Sequence, residues 1–243
     1  MTLLHDYQNG TAYSRRRMPP RDPHWRQAVA PYKSYAEAGA ATVSLARPVH
    51  LPQADLWATL RSRRSRREFS AAPLPQETLF LLLWAAQGIT EQGTWALRAA
   101  PSAGALYPVE TYVCASRVDG LAPGLYHWEL PDERLALVAA RPDLAAAACK
   151  ACLDQEMVAA APVTFIWAAV WGRAGQKYGD RALRYVYLDA GHLAENLHLA
   201  ATSLGLGACM VGAFLDDEMN ALAGVGGLEE SVIYAACVGK PKP

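Results

Sequence analysis

Apolar positions recur three, four and seven apart over residues 75–87, where Leu79, Leu82, Leu83 and Ala86 fall on one side of a helix. Pro75 suits its first turn and Gly88 marks its end. A shorter helical pattern covers 53–62. Runs at 110–116, 125–130 and 134–139 are rich in β-branched or aromatic residues and separated by turn formers, as antiparallel strands are. Residues 163–171 form a nearly continuous apolar run, the pattern of a strand covered on both faces. The longest helical segment, 181–204, is apolar on almost every side and spans about 36 Å at 1.5 Å per residue. Such a helix is expected inside the protein, with close packing at Gly191 offsetting the roughly 1 kcal/mol that glycine costs there. Gly205 caps it. Helices at 143–153 and 216–222, the latter with Asp216 as N-cap, and a buried strand at 231–238 complete the pattern.

The first 51 residues are rich in Pro, Arg and Tyr and lack periodicity, so they read as an extended arm, with at most one short helix, that wraps a neighbour. The chain thus divides into an arm, 1–51, and one domain, 52–243. Strands and helices mix without regular βαβ alternation. This favours an α+β fold: a mostly antiparallel sheet flanked by helices, with a long buried helix at its centre.

Composition agrees with a folded domain: of 243 residues, 52% are hydrophobic and 19% charged, which excludes a mainly disordered chain. Lys plus Arg number 23 and Asp plus Glu 23, so no net field draws the protein to nucleic acid or an anionic membrane. The first ten residues lack the apolar stretch of a secretion signal, and the expected location is the cytoplasm. Residues 196–215 carry no formal charge, yet Asn196, His198, Thr202, Ser203 and three glycines interrupt them; they read as a buried helix running into a buried strand. Five scattered cysteines point to reduced thiols, and the Cys149/Cys152 pair lacks the further ligands of a zinc site.

Three clusters could carry chemistry. Arg63, Arg64, Arg66 and Arg67 surround Ser65 at the end of a helix. Guanidinium forks match phosphate oxygens two at a time, so a phosphate monoester is a natural guest, although a solvated basic helix end has the same composition. Pro101, Ser102, Ala103 and Gly104 begin a turned, uncrowded loop that a flat ligand could approach, or an ordinary loop. Residues 205–214, Gly-Leu-Gly-Ala-Cys-Met-Val-Gly-Ala-Phe, again expose backbone N–H groups beside small side chains. Met210 stands where a dinucleotide-binding GxGxxG would need its last glycine. Arg15, Arg16 and Arg17 read as a solvated charge run. His127, His192 and His198 read as hydrogen-bonded core or interface residues, not metal ligands. Trp95, Trp167 and Trp171 are candidates to wall a cleft, or simple packing.

In order and spacing, these clusters resemble the flavin nitroreductase superfamily, and within it the SagB-type azoline dehydrogenase branch. The resemblance is carried by residues 63–69, 101–110, 124–128 (Gly-Leu-Tyr-His-Trp), 185–197 and 205–214, with Tyr32-Lys33-Ser34-Tyr35 similar to that branch's N-terminal extension. It implies a nitroreductase-like homodimer with FMN at the subunit interface. Arg63, Arg64 and Ser65 match the phosphate binders, and Arg67 the cation beside the flavin edge where charge gathers on reduction. Pro101, Ser102, Ala103 and Gly104 match the loop along the pyrimidine edge; Val211, Gly212 and Ala213 match the stretch facing N5 and O4. Ala105 stands where many relatives have Asn, and the usual C-terminal basic pair is absent, leaving Lys240 or Lys242 as substitutes.

Lys177-Tyr178, between Gly175 and Gly179, matches a pair associated with dehydrogenation in that branch, on what its glycines suggest is a mobile loop. Either residue would act as base only if its pKa fell from about 10. The resemblance implies oxidation of thiazoline or oxazoline rings in a peptide or carrier-bound intermediate, hydride passing to N5 and oxygen restoring the flavin, with a cyclodehydratase or carrier-protein partner. The alternatives are an NAD(P)H-dependent reductase of nitro compounds, quinones or enones, and a non-catalytic flavin-bearing scaffold subunit.

Overall fold

The structure is a computed structural model that describes residues 2–16, 28–93 and 96–242. Trp95 and Arg17 lie outside the described residues. Seven strands form one antiparallel sheet: β1 (Thr42–Ser44), β4 (Val109–Ala115), β5 (Gly124–Glu129), β6 (Arg134–Ala139), β7 (Val163–Val170), β8 (Gly207–Val211) and β9 (Glu230–Gly239), in the order β1-β6-β5-β4-β7-β9-β8. The short β2 (Ile89–Glu91) and β3 (Leu97–Arg98) make a separate hairpin. Central strands β4 and β7 are buried almost throughout, as their apolar runs require.

Helices cover both faces. On one, α3 (Gln76–Gln87) packs against the 22-residue α7 (Ala182–Ser203), and Leu79, Leu82, Leu83, Val186, Leu193 and Leu197 join the larger core. On the other, α4 (Leu144–Ala151), α5 (Glu156–Ala160) and α8 (Asp216–Ala223) seal a second core with Tyr112, Leu125 and Ile166. Two further helices, α2 (Leu56–Ser62) and α6 (Trp171–Tyr178), flank α7, and α1 (Leu3–Gly10) belongs to the N-terminal arm.

Local chemistry explains where the ends differ from expectation. The Asp55 carboxylate accepts from the Trp57 and Ala58 N–H groups, so α2 starts at Leu56 and not at residue 53. Asp216 lies inside α8 with Leu215 at the cap position, and the acidic first turn complements the helix dipole. Gly205, at φ +70°, follows α7 as expected.

Two expectations are corrected. The central helix is not buried all round: Tyr187, Leu188, Gly191, His192 and Glu195 form an exposed stripe, and nothing lies within 4 Å of the position a Gly191 side chain would take. Lys177 and Tyr178 lie in the last turn of α6, which runs through a single 3-10 turn, Gly179–Arg181, into α7, so they are not on a loop. The described part of the arm docks on its own chain. Lys33 Nζ donates to Glu230 and Tyr112 at 2.6 and 2.7 Å, and the Ser34 hydroxyl and the Tyr35 and Ala36 N–H groups donate to Glu129 at 2.7 to 2.9 Å. Among the described residues, no helix is long and apolar enough to cross a membrane.

Candidate functional site

The basic segment leaves α2 with Arg63 as its C-cap and runs beside β8: Ser65 bridges Ala208, and the Arg66 N–H donates to the Ala208 carbonyl at 2.9 Å. Gly207 permits this approach, because a Cβ there would come within 2.7 Å of Arg66 Cβ. The C-terminal strand lies along the other side, with the Ser70 N–H donating to the Lys240 carbonyl at 2.8 Å and the Lys242 N–H to the Glu68 carbonyl at 3.0 Å. Arg63 to Arg67 and Lys240 therefore share one neighbourhood. The Arg63 guanidinium is 3.8 Å from Glu195 on α7, Arg64 bonds the carbonyl of Arg63, and His198 contacts the Arg64 carbonyl at 3.2 Å. Among the described residues, the side chains of Arg66 and Arg67 make no ion pair. Burial raises the Cys209 thiol, partly countered by the Arg67 charge and a hydrogen bond from Ser65.

About two turns earlier on α7, Asp189 holds the second cluster. The Ser102 hydroxyl donates to its carboxylate at 2.5 Å and the Ala103 N–H at 3.2 Å, while Ser102 Oγ accepts from the Tyr107 N–H at 2.9 Å. Burial raises the Asp189 carboxyl, with Ser102, Ala103 and His192 opposing. The loop adopts left-handed conformations at Gly104 (φ +65°) and also at Ala105 (+55°) and Tyr107 (+45°). Such conformations cost non-glycine residues about 1–2 kcal/mol, so tertiary contacts must hold them. Arg98 supplies one, its N–H donating to the Tyr107 hydroxyl at 3.0 Å.

Over this loop stands the end of α6. A Cβ on Gly104 would meet Tyr178 Oη at 2.5 Å and Lys177 Nζ at 2.7 Å, so the phenol and the amine converge on the glycine. Burial raises the Tyr178 phenol, reinforced by Tyr185, Tyr13 and Asp189, which keeps it protonated at neutral pH. The downward shift that a tyrosine base requires is therefore not present here. Val211 is buried at the end of β8, whereas Gly212 and Ala213 are exposed. Their nearest partners are Tyr234, 3.7 Å from a Cβ on Gly212, and Gln155, which donates to the Ala213 carbonyl at 2.9 Å.

The α7 helix thus aligns the basic segment and the Ser102 loop, with β8 beside the first of them. Exposed guanidiniums and a glycine-permitted approach fit a phosphate, and an open stretch of small residues fits a flat ring. His127 and His198 are buried and hydrogen-bonded, as expected, and His192 is exposed. Trp167 is fully buried core, not a cleft wall; Trp171 donates to Ser231 at 2.8 Å and meets Tyr187 edge-on. No described His, Cys, Asp or Glu cluster could hold a metal, and all five cysteines are free. Sequence reasoning gave no role to Asp189, Glu110 or Arg173. The available signal was Asp189 itself, one of two carboxylates inside the apolar run of α7.

An antiparallel sheet packed on a long central helix, with a basic segment and a turned loop beside that helix, defines the α+β scaffold. Residues 60–240 match the nitroreductase family. The chain belongs to that family, and so to the flavin-dependent oxidoreductases. A Methanocaldococcus jannaschii protein described as a nitroreductase is 40% identical over 161 residues, 66% of this chain and 80% of that protein. The trifolitoxin-processing protein TfxB of Rhizobium leguminosarum bv. trifolii is 32% identical over 56% of this chain and 40% of its own length. An Anabaena variabilis protein described as a nitroreductase superposes with a TM-score of 0.74 at 28% identity, over 87% of this chain and 44% of that one. The chain thus spans less than half the length of these last two relatives. A chain of the E. coli microcin synthetase McbBCD complex, solved with truncated pro-MccB17 bound, superposes with a TM-score of 0.64 at 19% identity, over 91% of this chain and 85% of its own, a likeness of fold.

Proposed function

We propose that the protein is an FMN-dependent oxidoreductase that converts thiazoline or oxazoline rings to thiazoles or oxazoles in a peptide or carrier-bound intermediate. The observation that carries this reading is the convergence of Tyr178 Oη and Lys177 Nζ on Gly104, beside the loop assigned to the flavin edge. The likeness to a toxin-processing protein supports it. Oxidation of the ring removes one hydrogen as a proton and one with its electron pair. When bound, FMN supplies the acceptor for that hydride, and oxygen takes the electrons away.

The chain's residues do the rest. Arg63, Arg64 and Ser65 grip the phosphate, with Lys240 beside them. Arg67 supplies positive charge at the flavin edge. Pro101, Ser102, Ala103 and Gly104 line the pyrimidine side through their backbone, the Ser102 hydroxyl being already bonded to Asp189. Val211, Gly212 and Ala213 present backbone to the hydride-accepting side. Tyr178 keeps its proton and donates to the ring nitrogen, and Lys177, having first released its own extra proton to solvent, receives on Nζ the proton that leaves the ring carbon. Two copies of the chain enclose the site. The exposed Leu56, Trp57 and Leu60 of α2 and Tyr187 and Leu188 of α7 are the surface that joins them. A cyclodehydratase or carrier protein delivers the substrate.

The test is to purify the protein with FMN, offer a thiazoline-containing peptide, and follow loss of two hydrogens by mass. Arg63→Ala combined with Arg64→Ala removes two charge-assisted contacts of about 1.5–3 kcal/mol each and should leave colourless protein. A yellow double variant refutes the phosphate assignment. Rapid flavin bleaching by NADPH, with the thiazoline left intact, would instead establish a reductase.

A further inference from the structure

Arg173 lies in the first turn of α6, one turn before Lys177 and Tyr178, and is 2% exposed. Its guanidinium ties three distant parts of the chain together. Nε donates to the Ala30 carbonyl at 2.7 Å, Nη1 to the Tyr107 carbonyl at 3.2 Å, and Nη2 pairs with Glu110 Oε1 at 2.5 Å. His127, fully buried, holds the other Glu110 oxygen at 2.8 Å. Farther along α6, Gln176 Oε1 accepts from the Ala28 and Val29 N–H groups at 2.8 and 3.3 Å, and its amide donates to the Arg173 carbonyl at 3.1 Å. Val29 closes the contact against Gly172, where a Cβ would come within 3.1 Å of it.

These contacts pin both halves of the converging site. Tyr107 ends the loop that carries Gly104, and α6 carries the amine and the phenol. A helix of eight residues has no stability of its own, so its orientation is set by what it is fastened to. Residues 28–30 precede the stretch that matches the family, so this fastening is supplied from outside it. Burying a guanidinium is a poor way to gain stability when an apolar side chain of similar size could fill the space. Its gain here is placement.

We infer that Arg173, with Gln176 reaching to residues 28 and 29, is the positioning residue of the Lys177–Tyr178 pair, and that the arm is a working part of the site. This rests on the role proposed above for that pair. The test reads Lys177 directly. Reductive methylation with carbon-13 formaldehyde labels the five lysines, and Lys177→Arg assigns the signal of interest. In the parent protein that signal is shifted by the Tyr178 ring, whose centre lies 5.5 Å from Nζ. Gln176→Met, at a half-buried position, and Arg173→Lys, which keeps a charge facing Glu110, should both move it to the position of a solvated lysine. With a thiazoline-containing peptide, kcat should fall about tenfold for Gln176→Met and about a hundredfold for Arg173→Lys, at unchanged KM. A Lys177 signal that stays in place in both variants overturns the inference. A signal that moves in both, in a protein that leaves the thiazoline peptide untouched, upholds the positioning and removes only the azoline reading.

Discussion

Arg63, Arg64, Arg66 and Arg67 stand at or near the surface beside α7 with few internal partners, whereas Arg173 is 2% exposed and has a partner for each of its three nitrogens. The two groups use one side chain in opposite ways. A guanidinium whose donors face solvent keeps them available for a guest, and its removal leaves the fold unchanged. A guanidinium whose donors all end on carbonyls and a buried carboxylate serves the protein alone, and its removal strands a charge.

Arg173→Met offers the sharpest way to break this comparison. It leaves the buried Glu110 hydrogen-bonded to His127 but without its ion pair and should cost about 3–5 kcal/mol in chemical denaturation, with or without flavin; a loss below about 1 kcal/mol would place Arg173 with the surface arginines. Acid gives the same contrast without mutation. Burial alone would raise the Glu110 carboxyl, but the Arg173 charge and the His127 hydrogen bond reverse this and hold it at about 2, against 4.5 for an ordinary glutamate. The stability Glu110 contributes is therefore fully present above about pH 4.5 and is lost as pH falls towards 2. Glu110→Gln should flatten the acid limb of a stability–pH curve. Gly207→Ala, a smaller effect of about 1–3 kcal/mol, pushes the Arg66 backbone away from β8 and should weaken flavin binding together with stability. Unchanged flavin affinity would separate the basic segment from the site.

Much of this was legible in the sequence, and the exceptions share a cause. The strand at 134–139 and the helix ending at Gly88 follow from periodicity and a breaker, which are local signals. The basic run, the Ser102 loop and the 205–214 stretch announced themselves by composition, and α7 brings the first two into line. Helix α6 escaped notice because Gly172 and Gly175 interrupt it and its first turn is held by residues far away in the chain. Glu110 and Asp189 look like ordinary polar positions until Arg173 and Ser102, 63 and 87 residues from them, come within hydrogen-bond reach. The stripe on α7 appeared buried because hydrophobicity marks a surface for covering without saying whether the same chain covers it.

The docking of the arm has a practical bearing on any attempt to trim the protein. Cutting at residue 51, where composition changes, would strip Lys33 from Glu230, the Ser34, Tyr35 and Ala36 donors from Glu129, and the Ala30 carbonyl from Arg173. The shortened product would present raw sheet and a loosened α6 to water, and would be prone to clump. A serviceable minimal fragment has to begin upstream of Ala28.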